Sequence, residues 1–449
     1  MREGVGEIIT TNKKIIRKLE YIWNILTNPK NYVIPETIEE YKSYFYTPKI
    51  TINNQECYFN KAAEDNLNEF VNILQEIKEI EKFVSRNYIR SIVIKLIAEV
   101  VKNRIEKKDI SNASQITNIV STLIDSQRNY QFIRVIEGVE FKDLKSVELG
   151  KDEIFIFDSD YKEKMRQHCE KVGSLEYYQK SAVPMIDKYF LNKICLKVET
   201  FGELEKAGDI ALKRMKLIVN MFRFYLCLFI NKRVHQRMIL ISLSSEVFKS
   251  GDEAICIGCE SEEITLFYGR GRMSLQKFEI TSELIEKLKK DCFFDETVSL
   301  VAKENLSELE GSILTAIYWI GEAQNEFDYD VAFLKYWTAL EAVTFKPTDI
   351  SEALSTNVAT LLAFGGYDFI KIEDIEDTKR LLKKLYDKRS DVVHEGMREK
   401  VSPLDLSDIC KYSTWIVLSL LNLRRLNYEN LEDIKKETDR LYSVSSKSV

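Results

Sequence analysis

The stretch IEDIEDTKRLLKKLYDKRSDVVHEG, residues 372–396, carries the pattern that decides the fold of this chain. Its acidic residues come first and its basic residues follow, an order that suits the dipole of a helix. Steps of three or four residues along one helix face lead from Leu385 to Arg389 and then to Val392. The stretch therefore predicts a helix with an arginine among its core-facing residues. The apolar residues of the pattern are Leu381, Leu382, Leu385, Val392 and Val393.

Arg389 and His394 are the two residues of this helix that suggest chemistry. A guanidinium on a buried stripe needs a carboxylate, a carbonyl or a ligand phosphate, because an unpaired buried charge is costly. His394, one of 3 histidines in the chain, comes just before Gly396, and glycine commonly follows the end of a helix. The two side chains leave a straight helix about 140° apart. A shared site then needs either an unwound helix end or a second copy of the helix.

The neighbouring residues allow a functional and a structural interpretation. Tyr386 shares the face of Arg389, where it either stacks on a base or packs into the core. Asp391 either orients His394 or is a solvated surface acid. The lysines before the motif either contact RNA phosphates or form a solvated helix face; they include Lys383, Lys384 and Lys388. In the structural interpretation, Arg389 pairs with one glutamate and His394 caps the helix.

The composition of the whole chain is that of a globular protein rich in long helices. At 449 residues it has room for about three domains. It is 45% hydrophobic and 30% charged, with only 16 Gly and 6 Pro, so residues that break helices are few. The formal net charge of −6 argues against a protein that coats nucleic acid non-specifically.

Location is predicted from the N-terminus, the cysteines and the apolar stretches. MREGVGEIITTNKK has no apolar segment of the kind that signal peptides carry. The 8 cysteines are scattered, which is typical of reduced thiols in a cytoplasm. The most apolar stretch, 215–230, is short for a membrane span and contains Lys216, Asn220 and Arg223. We therefore expect a cytoplasmic protein with no membrane segment and a buried core helix at 215–230.

Three regions differ in their patterns. Residues 1–128 have helical spacing, residues 129–292 add strand-like alternation around a long helix from about 202 to 230, and residues 293–449 are helical again. The predicted class is mainly α with an α/β middle region and a C-terminal helical bundle. The predicted strands are FIRVIEGVEF, DEIFIFD, NKICLKVETF, RMILISLSSEVF, EAICIGC and EITLFYG.

Other chemical signals are weak. Cys256 and Cys259 have the spacing of a metal or redox pair, but no second pair of ligands accompanies them, so buried thiols are the preferred interpretation. The run 269–272, GRGR, is predicted to be a hairpin turn. No phosphate-binding loop, dinucleotide fingerprint or zinc-protease motif is present, so we expect no metal and no cofactor.

The C-terminal region resembles the Apea-like group of HEPN domains, helical bundles found in many RNA-cleaving toxins and antiviral proteins. The resemblance rests on FLKYWTALEAV, followed after one variable helix by LYDKRSDVVHEG, in which Arg389 and His394 match the R-x4–6-H motif. It covers about 150 residues, from roughly 297 to 449. Glu341 lies in the matching "ALE" segment. Ser390 follows the arginine where many catalytic members have Asn, Asp or His, and serine is common in the Apea-like pattern.

This resemblance implies a function. It points to a metal-independent endoribonuclease of a bacterial antiviral defence, abortive infection or toxin system, with Arg389 and His394 as catalytic residues. It also implies a homodimer with a composite cleft, an RNA substrate, and a regulatory partner or phage-derived trigger sensed by residues 1–292. The main alternative is a non-catalytic HEPN module that binds a nucleotide, RNA or a partner protein. A purely structural interaction protein is the third hypothesis.

Overall fold

Helices dominate the part of the chain that the structure, a computed structural model, describes, and the strands form small sheets. The predicted class of a mainly helical protein with an α/β middle region is confirmed at this level. The described residues are 13–44, 47–52, 55–105, 112–229, 239–243, 253–257, 264–268, 276–343, 350–394 and 400–445.

The chain forms two compact units. The first consists of Met1–Phe132 with Glu199–Leu212, and the second of Ile133–Val198 with Lys213–Val449. The second unit therefore contains most of the predicted middle region together with all the C-terminal helices. The three predicted regions, with boundaries at about 128 and 292, stay a prediction about domains.

The first unit buries an apolar core between amphipathic helices. Trp23 is 0% exposed and its ring lies 5.4 Å from that of Phe70, centroid to centroid. Asn60 begins a helix by accepting a hydrogen bond from the backbone N–H of Ala63. A small antiparallel sheet of order β1-β3-β2 includes residues on both sides of Pro35 and Pro48. The elements are α1 (Lys13–Leu26), β1 (Tyr32–Val33), α2 (Ile38–Ser43), β2 (Lys49–Ile52), β3 (Gln55–Phe59), α3 (Lys61–Gln75), α4 (Lys78–Glu81), α5 (Arg86–Ile105) and α6 (Asn112–Asp125).

The middle of the chain contributes the larger sheet. The elements in chain order are β4 (Arg128–Glu137), β5 (Val139–Phe141), β6 (Ser146–Leu149), β7 (Asp152–Phe157), α7 (Ser159–Lys171), α8 (Leu175–Tyr177), α9 (Val183–Tyr189), β8 (Lys193–Gly202), α10 (Leu204–Phe229), β9 (Ser242–Leu243), β10 (Glu253–Ile257), β11 (Ile264–Tyr268) and β12 (Phe278–Ile280). Five strands pair in the order β6-β7-β8-β4-β9, while β10 pairs with β11 and β5 with β12.

Most of the predicted strands are confirmed, and one can be followed only in part, because most of its residues lie outside the described ranges. Of RMILISLSSEVF, residues 237–248, the structure describes only 239–243, and within these Ser242–Leu243 is the strand. Strands β10 and β11 lie in two of the predicted stretches and pair with each other antiparallel. The predicted turn at 269–272 and Cys259 lie outside the described residues.

Helix α10 is the buried helix that the apolar stretch 215–230 predicted, as far as Phe229. Arg223 is only 1% exposed, and its guanidinium donates to the backbone oxygen of Ile241 at 2.6 Å and to Oδ1 of Asn220 at 2.7 Å. Gly321, on a neighbouring helix, packs so closely that a Cβ there would lie 2.5 Å from Cβ of Asn220. No helix among the described residues is long and apolar enough to cross a membrane.

The C-terminal helices have well-defined starts. Ser307 and Glu310 form a reciprocal capping box at the first turn of one helix, and Ser402 and Asp405 form another. Pro403 follows the second cap, at a position where a missing N–H costs nothing. The helices are α11 (Ser282–Cys292), α12 (Phe294–Ala302), α13 (Glu308–Gln324), α14 (Tyr329–Val343), α15 (Ile350–Phe364), α16 (Ile375–His394), α17 (Pro403–Arg425) and α18 (Leu431–Ser445).

Glu310 also ties α13 to the end of α17. Its carboxylate accepts from Lys303 at 2.6 Å and from Nε of Arg424 at 2.9 Å, and its side chain is 6% exposed. Burial acts to raise the pKa of Glu310, but Lys303, the backbone N–H of Ser307 and Arg424 outweigh it and lower the pKa to about 2. The ionised carboxylate therefore stabilises the fold.

Candidate functional site

The motif lies at the end of α16, which the sequence predicted as a helix. Glu376 and Asp377 occupy its first turn, and His394 is its last residue. Gly396, the predicted residue after the helix end, lies outside the described residues. The position of His394 in the last turn of the helix is confirmed.

Arg389 lies near the end of the buried face of α16. Leu382 and Leu385 are 0% and 1% exposed, and the side chain of Arg389 is 25% exposed. The apolar pattern does not stay buried to its end, because Val393 is 45% exposed. Val393 is rotated about 80° from Leu385 around the helix axis, whereas Val392 is rotated only about 20°. Arg389 therefore lies at the border between the core and solvent.

Glu341 is the acidic partner of Arg389, whose place on the apolar stripe indicated that it needs one. Its Oε1 lies 3.5 Å from Nη2 of Arg389 and accepts a hydrogen bond from Nε1 of Trp337 at 2.9 Å. Trp337 is 1% exposed, and its ring meets that of Tyr386 edge to face with centroids 5.8 Å apart. Two successive turns of α14 therefore contact two successive turns of α16.

Tyr386 is packed against the protein. Its ring is half-buried and contacts the indole of Trp337. An edge-to-face aromatic pair stabilises the packing of two helices. Of the two interpretations of Tyr386, this contact favours core packing over stacking on a base.

His394 lies on the exposed surface at the helix end. Its side chain is exposed, while Ser390 and Asp391 are half-buried. His394 comes five positions after Arg389, so the two side chains diverge by about 140° and are offset by roughly 7.5 Å along the axis of a regular helix. One copy of α16 therefore does not point both groups at the same atom.

The lysines proposed to contact RNA are engaged in ion pairs, with one exception. Lys383 pairs with Glu352, which also accepts from Lys379 at 2.6 Å, and these contacts lower the pKa of Glu352. Lys388 pairs with Asp405; burial acts to raise the pKa of that carboxyl, but hydrogen bonds from Lys388 and Ser402 outweigh it and lower the pKa. Lys384 is exposed. Ion pairs this close to solvent are weak, so a polyanion can compete for them.

Sequence reasoning missed the role of Trp337. This residue belongs to the quoted segment FLKYWTALEAV, but nothing in the segment singled it out. The available signal was its spacing, because residues four apart on a helix face each other and an indole N–H can then reach the carboxylate of Glu341.

The described residues contain no cluster of side chains suited to bind a metal ion. Within those ranges, no group of three or more His, Cys, Asp or Glu side chains is arranged to hold a metal ion. Comparison of the chain with protein-family models, with curated proteins and with solved structures finds no match. The site is therefore interpreted from its own chemistry and from the sequence resemblance.

Proposed function

We propose that the protein is a metal-independent endoribonuclease of the HEPN type, acting in the cytoplasm of a bacterium in antiviral defence or toxin-type growth arrest. The observation that carries the proposal is the position of Arg389. Its guanidinium is held by Glu341 at the border of the core, five residues before an exposed histidine at the end of the same helix. Together with the Apea-like sequence pattern, this arrangement supports a site for a phosphate anion.

The residue types suit cleavage of RNA by its own 2′-hydroxyl. Histidine is a common general acid and base, so His394 can take a proton from the attacking hydroxyl or give one to the leaving oxygen. The guanidinium of Arg389 donates two parallel hydrogen bonds to phosphate oxygens and stabilises the extra charge of the transition state. Neither role requires a metal ion.

A dimer explains how the two groups act together. Because Arg389 and His394 diverge on one helix, a two-fold axis beside the end of α16 would bring Arg389 of one copy near His394 of the other. The proposed active form is therefore a homodimer with a cleft between the two copies of this helix. Residues outside the C-terminal helices would then respond to a trigger or hold a regulatory partner.

RNA integrity in cells tests this function. Cells expressing the wild-type protein, Arg389→Ala or His394→Ala are compared for RNA fragmentation and growth. His168→Ala is the matched control, because His168 is also an exposed histidine in the last turn of a helix. We expect fragmentation with the wild type and with His168→Ala only. Equal RNA fragmentation in all four strains would contradict the proposed role of Arg389 and His394.

One observation favours the alternative of a non-catalytic module. Arg389, Lys383 and Lys388 all have acidic partners within the chain, and the formal net charge is −6. A module of this kind would bind a nucleotide, RNA or a partner protein without cleaving RNA. Binding of RNA by the purified protein, without any cleavage on prolonged incubation, would favour this alternative.

A further inference from the structure

One carboxylate oxygen joins the core of the second unit to the motif arginine. Oε1 of Glu341 accepts from the indole N–H of Trp337 at 2.9 Å and lies 3.5 Å from Nη2 of Arg389. The indole itself is held by packing, since its ring stacks on Phe333 at 6.3 Å between centroids and touches Tyr386 on another side. Packing therefore holds the indole N–H of Trp337, the donor to Glu341, in place.

The carboxylate and the guanidinium are much more exposed than the indole that begins this series of contacts. Trp337 is 1% exposed, while the side chains of Glu341 and Arg389 are 34% and 25% exposed. A guanidinium has five N–H donors, and the ion pair with Glu341 uses one edge of it. Among the described residues, no second carboxylate pairs with Arg389. Glu341 therefore lies beside one nitrogen of the guanidinium, Nη2, and a quarter of the Arg389 side chain is exposed to solvent.

We propose that Trp337 and Glu341 are positioning residues for Arg389. The indole N–H fixes the carboxylate, and the carboxylate fixes the guanidinium so that its outer N–H donors meet an oxyanion in one orientation. The inference rests on the proposed function, because the oxyanion is the phosphate of RNA. It adds to that function a buried tryptophan that never touches the substrate.

Kinetics of the full-length protein on a short RNA test the positioning role. Glu341→Gln keeps an oxygen for the indole N–H but removes the charge that holds Arg389. We expect kcat to fall about 10- to 100-fold while KM changes less than about threefold, because a poorly oriented donor fails mainly in the transition state. Trp337→Phe keeps an aromatic ring in the core and removes only the donor, and we expect kcat to fall about 3- to 10-fold.

The contacts by which Trp337 and Glu341 position Arg389 are called the clamp below. A spectroscopic measurement tests the clamp without reference to cleavage. The chain has 4 tryptophans, so the indole N–H resonance of Trp337 is assigned by its loss in Trp337→Phe. We expect this resonance to move in Glu341→Gln and in Arg389→Ala. Arg380→Ala is the matched control, because Arg380 is an exposed arginine on the same helix that pairs with Asp377. The control should leave the resonance in place.

The two measurements separate the inference from the function on which it rests. A Trp337 resonance that moves, in a wild-type protein that does not cleave RNA, supports the clamp and rejects the nuclease. A cleaving wild type whose kcat is unchanged by Glu341→Gln and Trp337→Phe overturns the positioning role and leaves the nuclease intact. A Trp337 resonance that is unmoved by both Glu341→Gln and Arg389→Ala also overturns the clamp.

Discussion

Two alanine substitutions on the same helix should have very different effects on stability. Leu385 is 1% exposed and lies one helical turn before Arg389 on the buried face of α16, whereas His394 is exposed at the helix end. If His394 belongs to a surface site, its removal should cost little stability. If it belongs to the core, both substitutions should be similarly damaging.

The sizes of the two effects follow from burial. Leu385→Ala removes three buried carbon atoms at about 0.8 kcal/mol each, and the cavity left behind brings the expected cost to roughly 2–5 kcal/mol. His394→Ala loses at most the interaction of an imidazolium with the helix end, which contributes about 1 kcal/mol or less. The expected difference between the variants is therefore at least about 1 kcal/mol.

Urea-induced unfolding of the full-length protein, followed by circular dichroism, measures both costs at pH 7. His168→Ala serves as the control for loss of an exposed histidine, and it should match His394→Ala in stability while retaining any RNA cleavage. A loss of stability in His394→Ala as large as that in Leu385→Ala would refute the surface position of the histidine and the assignment of the site. A cost below about 1 kcal/mol for Leu385→Ala would refute the buried face of α16 instead.

Three further predictions concern charge, metal and assembly. Glu310→Gln should lower the free energy of unfolding at pH 7 by about 3 kcal/mol. The native pKa of Glu310, about 2, lies below the ordinary value of 4.5, and each unit of this pKa difference corresponds to about 1.4 kcal/mol. This contribution is complete above about pH 4.5 and is lost as the pH falls towards 2. Urea titrations should therefore show a smaller difference in the free energy of unfolding between variant and wild type at pH 3 than at pH 7. An equal difference at the two pH values contradicts the ion-pair argument. RNA cleavage should persist in EDTA and leave 2′,3′-cyclic phosphates, whereas loss on chelation with recovery in magnesium or manganese excludes the proposed mechanism. The active protein should sediment as a dimer, and recovery of cleavage on mixing Arg389→Ala with His394→Ala would support a site shared between copies. A protein that cleaves RNA while remaining monomeric on its substrate rules that site out.

The helices were predictable because their apolar residues recur with helical spacing over many turns. The stretches KKIIRKLEYIWNIL (13–26) and ISEALSTNVATLLAF (350–364) have this spacing, and the structure has the helices Lys13–Leu26 and Ile350–Phe364 there. The stretch VSLVAKENLSELEGSILTAIYWIGEAQN, residues 298–325, also has helical spacing, but in the structure it is divided between α12 and α13, because the capping box of Ser307 starts a new helix. That signal was present in the sequence as a serine followed three residues later by a glutamate.

The short strands were not predictable in the same way. A strand such as Tyr32–Val33 has too few residues to show alternation. Such strands form because a partner strand offers hydrogen bonds, as Phe59 and Tyr58 do for Tyr32 and Val33. The partner is distant in sequence in several cases, so the local pattern carries no record of it.

The candidate site was likewise predictable only where it depends on the pattern within one helix. The need of Arg389 for an acidic partner followed from its place on the apolar stripe. The identity of that partner depends on how α14 packs against α16, and only the sequence resemblance drew attention to Glu341. The ion pairs of Lys383 with Glu352 and of Lys388 with Asp405 also join different helices. Periodicity within a single helix does not predict contacts of this kind.

The surroundings of Arg389 distinguish an arginine that serves only packing from one that meets a ligand. A guanidinium retained for packing alone is expected to be enclosed and to have its donors satisfied, as Arg223 is, at 1% exposure with a backbone oxygen and an amide oxygen on its donors. Arg389 is 25% exposed and is held on one edge by Glu341. A charge held in this way keeps its orientation at little cost in side-chain entropy when an anion arrives. The comparison with Arg223 therefore favours an anion site at the end of α16, and the divergence of His394 from it favours a second copy of the helix as the source of the missing group.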